Sequence, residues 1–119
     1  MIRRAALVGA LLLTGCSLRP CENTVTARGL SPDKRLEVVT FDRSCGATTG
    51  FSTQLSILEP GAEPDGPGNV AIFEGQDVAT AAWLSATRLQ IRSSAGARSF
   101  KREIVWGGVA IDYLAVEPR

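Results

Sequence analysis

Few side chains in this chain could carry chemistry, and their spacing limits what they can do. The densest set lies in Cys45-Gly46-Ala47-Thr48-Thr49-Gly50-Phe51-Ser52-Thr53-Gln54, where hydroxyls follow a thiol across two glycines. Such a stretch can present hydroxyls and free backbone N–H groups, which makes Thr48, Thr49, Ser52 and Thr53 a binding loop; the competing reading is a turn that only leads into a strand. A serine or threonine nucleophile needs a base, and the chain has no histidine. Only Lys34 or Lys101 could serve in a dyad, and neither stands in a nucleophile motif. No Gly-Lys-Ser/Thr follows Gly50, so the glycines do not form a phosphate-binding loop. Glu59, Glu63 and Asp65 offer carboxylates to a calcium ion but lack the regular spacing of an EF-hand, and a solvated acidic loop accounts for them. Trp83 and Trp106 end apolar segments and are expected to anchor the core, not to form a sugar-stacking platform. The expectation is a non-enzymatic protein without metal or cofactor.

The remaining chemistry sits at the start. Met1-Ile2-Arg3-Arg4 is basic, Ala5 to Leu13 is apolar apart from Gly9, and Leu13-Thr14-Gly15-Cys16 follows. The apolar run is far below the ~20 residues that span a bilayer. Thr14 and Gly15 are small enough to admit a peptidase to the backbone, and the Cys16 thiol can accept a diacylglycerol. The pattern closely resembles the lipobox of bacterial lipoproteins. That resemblance implies a signal peptide over residues 1–15, lipidation of Cys16 including a palmitate-type acyl group, a tether over residues 16–23 and one domain over residues 24–117. Two acyl signals suffice for stable anchoring. Ser17 in place of Asp after the lipidated cysteine implies the periplasmic face of the outer membrane over inner-membrane retention. The Cys-Gly-Ala-Thr-Thr-Gly-Phe-Ser-Thr motif, with the Ser31-Pro32-Asp33 turn and a downstream Trp, further resembles a family of small bacterial lipoproteins and exported proteins of unknown function. That likeness runs over roughly Cys21 to Tyr113 and brings no activity with it.

Removing residues 1–15 from the 119-residue chain leaves a single small domain, which buries roughly two-thirds of its unfolded surface. The core is therefore thin. Three cysteines are an odd number for an exported chain. Lipidation of Cys16 would leave Cys21 and Cys45 as a pair, and an oxidising compartment favours a disulfide over two free buried thiols. Loss of Arg3 and Arg4 turns the formal charge of +1 into about −1. A near-neutral chain lacks the basic footprint of nucleic-acid binding and shows no polybasic surface for anionic lipid.

The elements that would position these residues read as strands. Thr24-Val25-Thr26 suits a short edge strand, and Ser31-Pro32-Asp33 has turn chemistry. Lys34 to Asp42 is apolar on both faces, as in a largely buried strand. Phe51 to Leu58 alternates cleanly, with Phe51, Thr53, Leu55 and Ile57 on one side and Ser52, Gln54 and Ser56 on the other, which predicts a half-buried strand. A Pro/Gly loop over residues 59–68 leads to a strand over residues 69–74. Val78 to Trp83 and Arg88 to Ser93 suggest a hairpin, although Ala79, Ala81 and Ala82 also suit a helix. Gly107-Gly108 predicts a tight turn joining Lys101–Trp106 to Val109–Val116. That register would gather Ile104, Trp106, Val109, Ile111 and Tyr113 on one apolar face and set Glu103 opposite Asp112, with Arg88 or Arg92 placed to neutralise the two acids.

Residues 31–39 and 82–91 echo each other, and both partly resemble the turn-plus-strand of a TolB-type propeller repeat. A chain this short cannot close a ring of blades. The expected fold is all-β: a small antiparallel meander of about six to eight strands, blade-like or folded into a small sandwich, with one Cys21–Cys45 disulfide. The expected role is a membrane-anchored envelope lipoprotein that binds an envelope protein, with an inhibitor or immunity-type factor acting on an envelope hydrolase as the alternative.

Overall fold

The computed structural model describes residues 21–46 and 50–117, which form strands and no helix. Glu22–Leu30 (β1), Glu37–Ser44 (β2), Ser52–Leu58 (β3) and Ala71–Glu74 (β4) run as an antiparallel meander. The chain then crosses to a second sheet for Ala79–Ser85 (β5) and Arg88–Ser94 (β6), returns for Ser99–Arg102 (β7), and crosses again for Val105–Trp106 (β8) and Val109–Val116 (β9). The first sheet has the order β1-β2-β3-β4-β7 and the second β5-β6-β9-β8. The two pack face to face as a sandwich, and the Cys21–Cys45 disulfide ties the start of β1 to the end of β2 within the first sheet.

Period-2 alternation explains which residues meet between the sheets. In the first sheet Val38 pairs with Ile57, and Leu55 pairs with Ala71 on its other side, so these side chains line one face. Phe73, opposite Thr53, continues that face. The second sheet answers with Ala79, Leu89, Ile91, Val109 and Ile111, and all of these are buried. Each large aliphatic or aromatic side chain removed from water here contributes about 1.5–3 kcal/mol. Trp83 and Trp106 pack against this cluster as core anchors. The Trp83 indole N–H also donates to the Gly29 carbonyl at 2.9 Å, tying the second sheet to the edge strand of the first.

The opposite face of the first sheet is covered too, which alternation alone did not indicate. Val39 and Phe41 point away from the second sheet, yet both are fully buried. The Pro/Gly loop lies across them. Gly61 N–H donates to Glu37, Asn23 donates to the carbonyls of Pro64 and Gly66, and Gly68 N–H donates to Gln54 Oε1. Asn69 acts as a substitute strand: its amide accepts from Ile57 N–H at 2.9 Å and donates to Ile57 C=O at 3.0 Å. Gln54 and Ser56 are therefore buried in hydrogen bonds to the loop, and β3 is buried on both faces instead of half-buried.

Three other expectations change. Lys101–Trp106 is not one strand, because Glu103 and Ile104 carry the chain between sheets: Glu103 N–H reaches Val70 C=O while Ile111 N–H reaches Ile104 C=O. Tyr113 pins this crossover by donating its hydroxyl to Glu103 C=O at 2.6 Å. Ile104 consequently leaves the apolar face and is exposed. The Gly107-Gly108 turn does form as expected, with both glycines at positive φ and Trp106 opposite Val109. Secondly, β9 lies parallel to β6, so the sandwich is not a single meander, and nine strands form among the described residues. Thirdly, the alanine-rich arm is a strand, because pairing with β6 sets Ala81 against Ile91 and Trp83 against Leu89 in a way its helix propensity cannot offset. Arg88 takes Asp112 at 2.8 and 3.0 Å, whereas Arg92 turns to Gln90 and Glu103 lies outside that pairing.

Candidate functional site

Of the residues singled out from the sequence, Cys21, Cys45, Ser52 and Thr53 are described, and they lie toward one end of the first sheet. Cys21 and Cys45 are joined there, 24 positions apart, while Cys16, Thr48 and Thr49 lie outside the described residues. Ser52 and Thr53 are occupied structurally. Ser52 accepts from the Gln54 amide at 2.7 Å. The Thr53 hydroxyl donates to Gly75 C=O at 2.8 Å and accepts from Val78 N–H, inside the protein. The Thr53 bonds hold the loop that leads into β5, while Ser52 is engaged within the sheet by Gln54. Beside Thr53 in the ladder, Asp42 is also buried; Gln76 donates to its Oδ2, and Oδ1 has no hydrogen-bond partner.

A cleft of about 440 Å³ lies at the other end, where turns of both sheets converge. The first sheet supplies Asp33, Arg35 and Leu36 from the β1–β2 turn, and Glu59 just after β3. The second sheet contributes the Ala86-Thr87 turn and the Gly107-Gly108 turn with Val109. A smaller cavity of about 260 Å³ beside Asp77, Thr80, Arg92 and Val116 is built from the second sheet and its entry loop. Sites at the mouth of a sandwich, formed by turns on a rigid frame, are where binding surfaces concentrate.

The turns that form the cleft are tightly knit. Pro32 follows Ser31 and fixes φ at the start of the β1–β2 turn, which closes through Lys34 N–H to Ser31 C=O at 2.8 Å and Ser31 N–H to Leu36 C=O at 2.9 Å. Lys34 sits at φ 63°, held by those bonds. Ser31 is buried and donates its hydroxyl to Asp33 at 2.7 Å. That bond, then the Arg35 N–H bond to the same oxygen, holds the Asp33 carboxyl below its ordinary range and keeps it ionised at neutral pH. Across the cleft, Ala110 N–H donates to Thr87 C=O at 2.9 Å and locks the Ala86-Thr87 turn to β9.

The cleft thus displays two carboxylates, one guanidinium and a hydroxyl over a floor that reaches Leu36 and Val109. Leu30, Leu84, Ile104 and Val105 are exposed near the same end, giving the surroundings apolar contact area. Glu59, Glu63 and Asp65 do not gather: Glu59 faces the cleft and Glu63 pairs with Arg28 at 2.9 Å. Among the described residues no three His, Cys, Asp or Glu side chains come close enough to hold a metal ion.

Arg35 and Thr87 were not marked by any motif, and Glu59 stood out only as one carboxylate of an acidic loop. The echo between residues 31–39 and 82–91 covers Arg35 and Thr87, since both are turn-plus-strand units and both turns end on the cleft. No family model matches this chain, no curated protein matches its sequence, and no solved structure matches its fold.

Proposed function

We propose that this protein is a membrane-anchored envelope lipoprotein that binds a protein partner through the turn cleft. The observation that carries the reading is the polarity of the sandwich. The chain enters the domain at Cys21, at the disulfide end, and the cleft opens at the end where the β1–β2, β5–β6 and β8–β9 turns meet. A lipid on Cys16 would therefore hold one end near the bilayer and present the other to the envelope. The role asks for no chemistry from the cleft: Asp33, Arg35 and Glu59 supply charge for orientation, and the aliphatic rim supplies contact area.

The test is site-specific photo-crosslinking of the full chain in its native envelope. A crosslinker at Thr87 should capture a discrete protein, one at Arg92 should not, and Arg35→Glu should abolish the Thr87 product while leaving the protein folded and anchored. Equal capture from both positions, or a Thr87 product indifferent to Arg35→Glu, would refute the cleft as the binding site. If the captured protein is a hydrolase whose turnover falls on binding, the role is inhibition.

A further inference from the structure

The disulfide end of the first sheet carries a second surface, defined by strand register. Glu22 pairs with Ser44, Arg43 with Ser52, and Ser52 with Glu74, and Glu74 N–H donates to Arg98 C=O. Phe51 joins the same row, since its carbonyl accepts from Gly75 N–H at 3.0 Å. Cys21, Cys45, Phe51 and Arg98 therefore stand along one end of the sheet. Phe100 follows two residues after Arg98 on the edge strand β7, with the Arg98 guanidinium 5.2 Å from its ring centroid. Both phenylalanines are solvent-facing, Phe51 at 45% and Phe100 at 57% exposure, although the core lies only a few residues away.

The chain length leading to this end fixes what can cover it. Cys21 lies five positions after Cys16, so the span is at most about 17 Å. The polar headgroup layer on each side of a bilayer is roughly 5–8 Å deep. A domain tethered this closely at Cys21 keeps its disulfide end within reach of the membrane surface.

Resting on the lipid anchor at Cys16, we infer that this end seats on the phospholipid surface, with Phe51 and Phe100 entering the interface and Arg98 meeting lipid phosphates. Aromatic rings beside a guanidinium suit that boundary, where one side is apolar and the other is wet. Glu22, Glu74 and Asp77 offset Arg43 and Arg98 at the same end, so the rings and not net charge supply the attraction. Seating persists in high salt and on a zwitterionic bilayer. It also fixes orientation, directing the cleft away from the membrane.

The experiment uses the full acylated chain reconstituted into phosphatidylcholine vesicles with brominated acyl chains. Phe51→Trp and Phe100→Trp are compared with Leu84→Trp at the turn end, and the emission of native Trp83 and Trp106 is subtracted using the parent protein. All three positions are exposed, and intact Cys21–Cys45 pairing with an unchanged unfolding midpoint confirms the fold. The added emission at positions 51 and 100 is expected to be quenched in low and high salt, with no quenching at position 84. Labelled, membrane-bound protein with no quenching at 51 and 100, or with equal quenching at all three positions, would overturn the seating and leave the anchor standing. Absence of a fatty-acid label on Cys16 would overturn the anchor and the seating together.

Discussion

Substituting Gly68 by alanine tests whether the Pro/Gly loop is a structural layer or a loose connection. A Cβ at Gly68 would come within 2.8 Å of Leu55 O, 2.9 Å of Ala71 O and 2.9 Å of Leu55 N. All three are backbone atoms of paired strands and cannot turn aside. The loop must lift instead, at about 1–3 kcal/mol for overpacking. Lifting also separates Gly68 N–H from Gln54 Oε1, now 2.7 Å apart, and Gln54 is buried, so an unsatisfied acceptor adds about 1–3 kcal/mol. The expected loss is about 2–6 kcal/mol, a large share of the ~5–15 kcal/mol that holds a domain folded. Gly66→Ala, two residues earlier in the same loop, is the matched control. Nothing lies within 4 Å of its Cβ, and it should stay within about 0.5 kcal/mol of the parent. Urea unfolding followed by tryptophan emission measures both. Equal midpoints for Gly68→Ala and Gly66→Ala would show that the loop does not press on β3, and the account of the buried Val39 and Phe41 would fail with it.

Three further outcomes follow from the packing. Reducing Cys21–Cys45, or replacing both residues by serine, should cost about 3 kcal/mol through loss of a cross-link spanning 24 positions; an unchanged thermal midpoint in reductant would contradict this. Tyr113→Phe should cost about 1 kcal/mol by removing the hydrogen bond to Glu103 C=O. Burial pushes the Tyr113 phenol up to about 12, against a lowering by Arg102 and with a smaller rise from Glu103. An unfolded tyrosine gives up its proton near pH ~10, so the stability from this proton is complete below that pH and is lost as pH rises toward about 12. Tyr113→Phe should flatten that alkaline decline in chemical denaturation, and an unaltered pH slope would assign the decline to other groups. Asp42→Asn should change stability by less than about 1 kcal/mol, since its carbonyl can keep the Gln76 hydrogen bond and its NH2 replaces an Oδ1 that has no partner; a larger loss in urea unfolding would show that the carboxylate itself is needed.

Local residue chemistry determined a good part of this molecule. The alternation in residues 51–58, the paired apolar faces of β2 and the Gly107-Gly108 turn each follow from a two-residue period or a positive φ, which neighbouring residues settle among themselves. The Cys21–Cys45 link was legible as well, from cysteine count and context. The tertiary structure decided what those patterns met. Ser52, Gln54 and Ser56 have the spacing of a solvated face, and Gln54 and Ser56 are buried because a loop more than ten residues away brings hydrogen-bond partners back over them. Lys101–Trp106 has the pattern of one strand, and it divides because its two ends find partners in different sheets. The cleft belongs to the same class. Asp33, Glu59 and Thr87 are ordinary turn residues in sequence, and only the closure of two sheets brings them together, since long-range packing and not local periodicity determines which chain ends share one end of a sandwich.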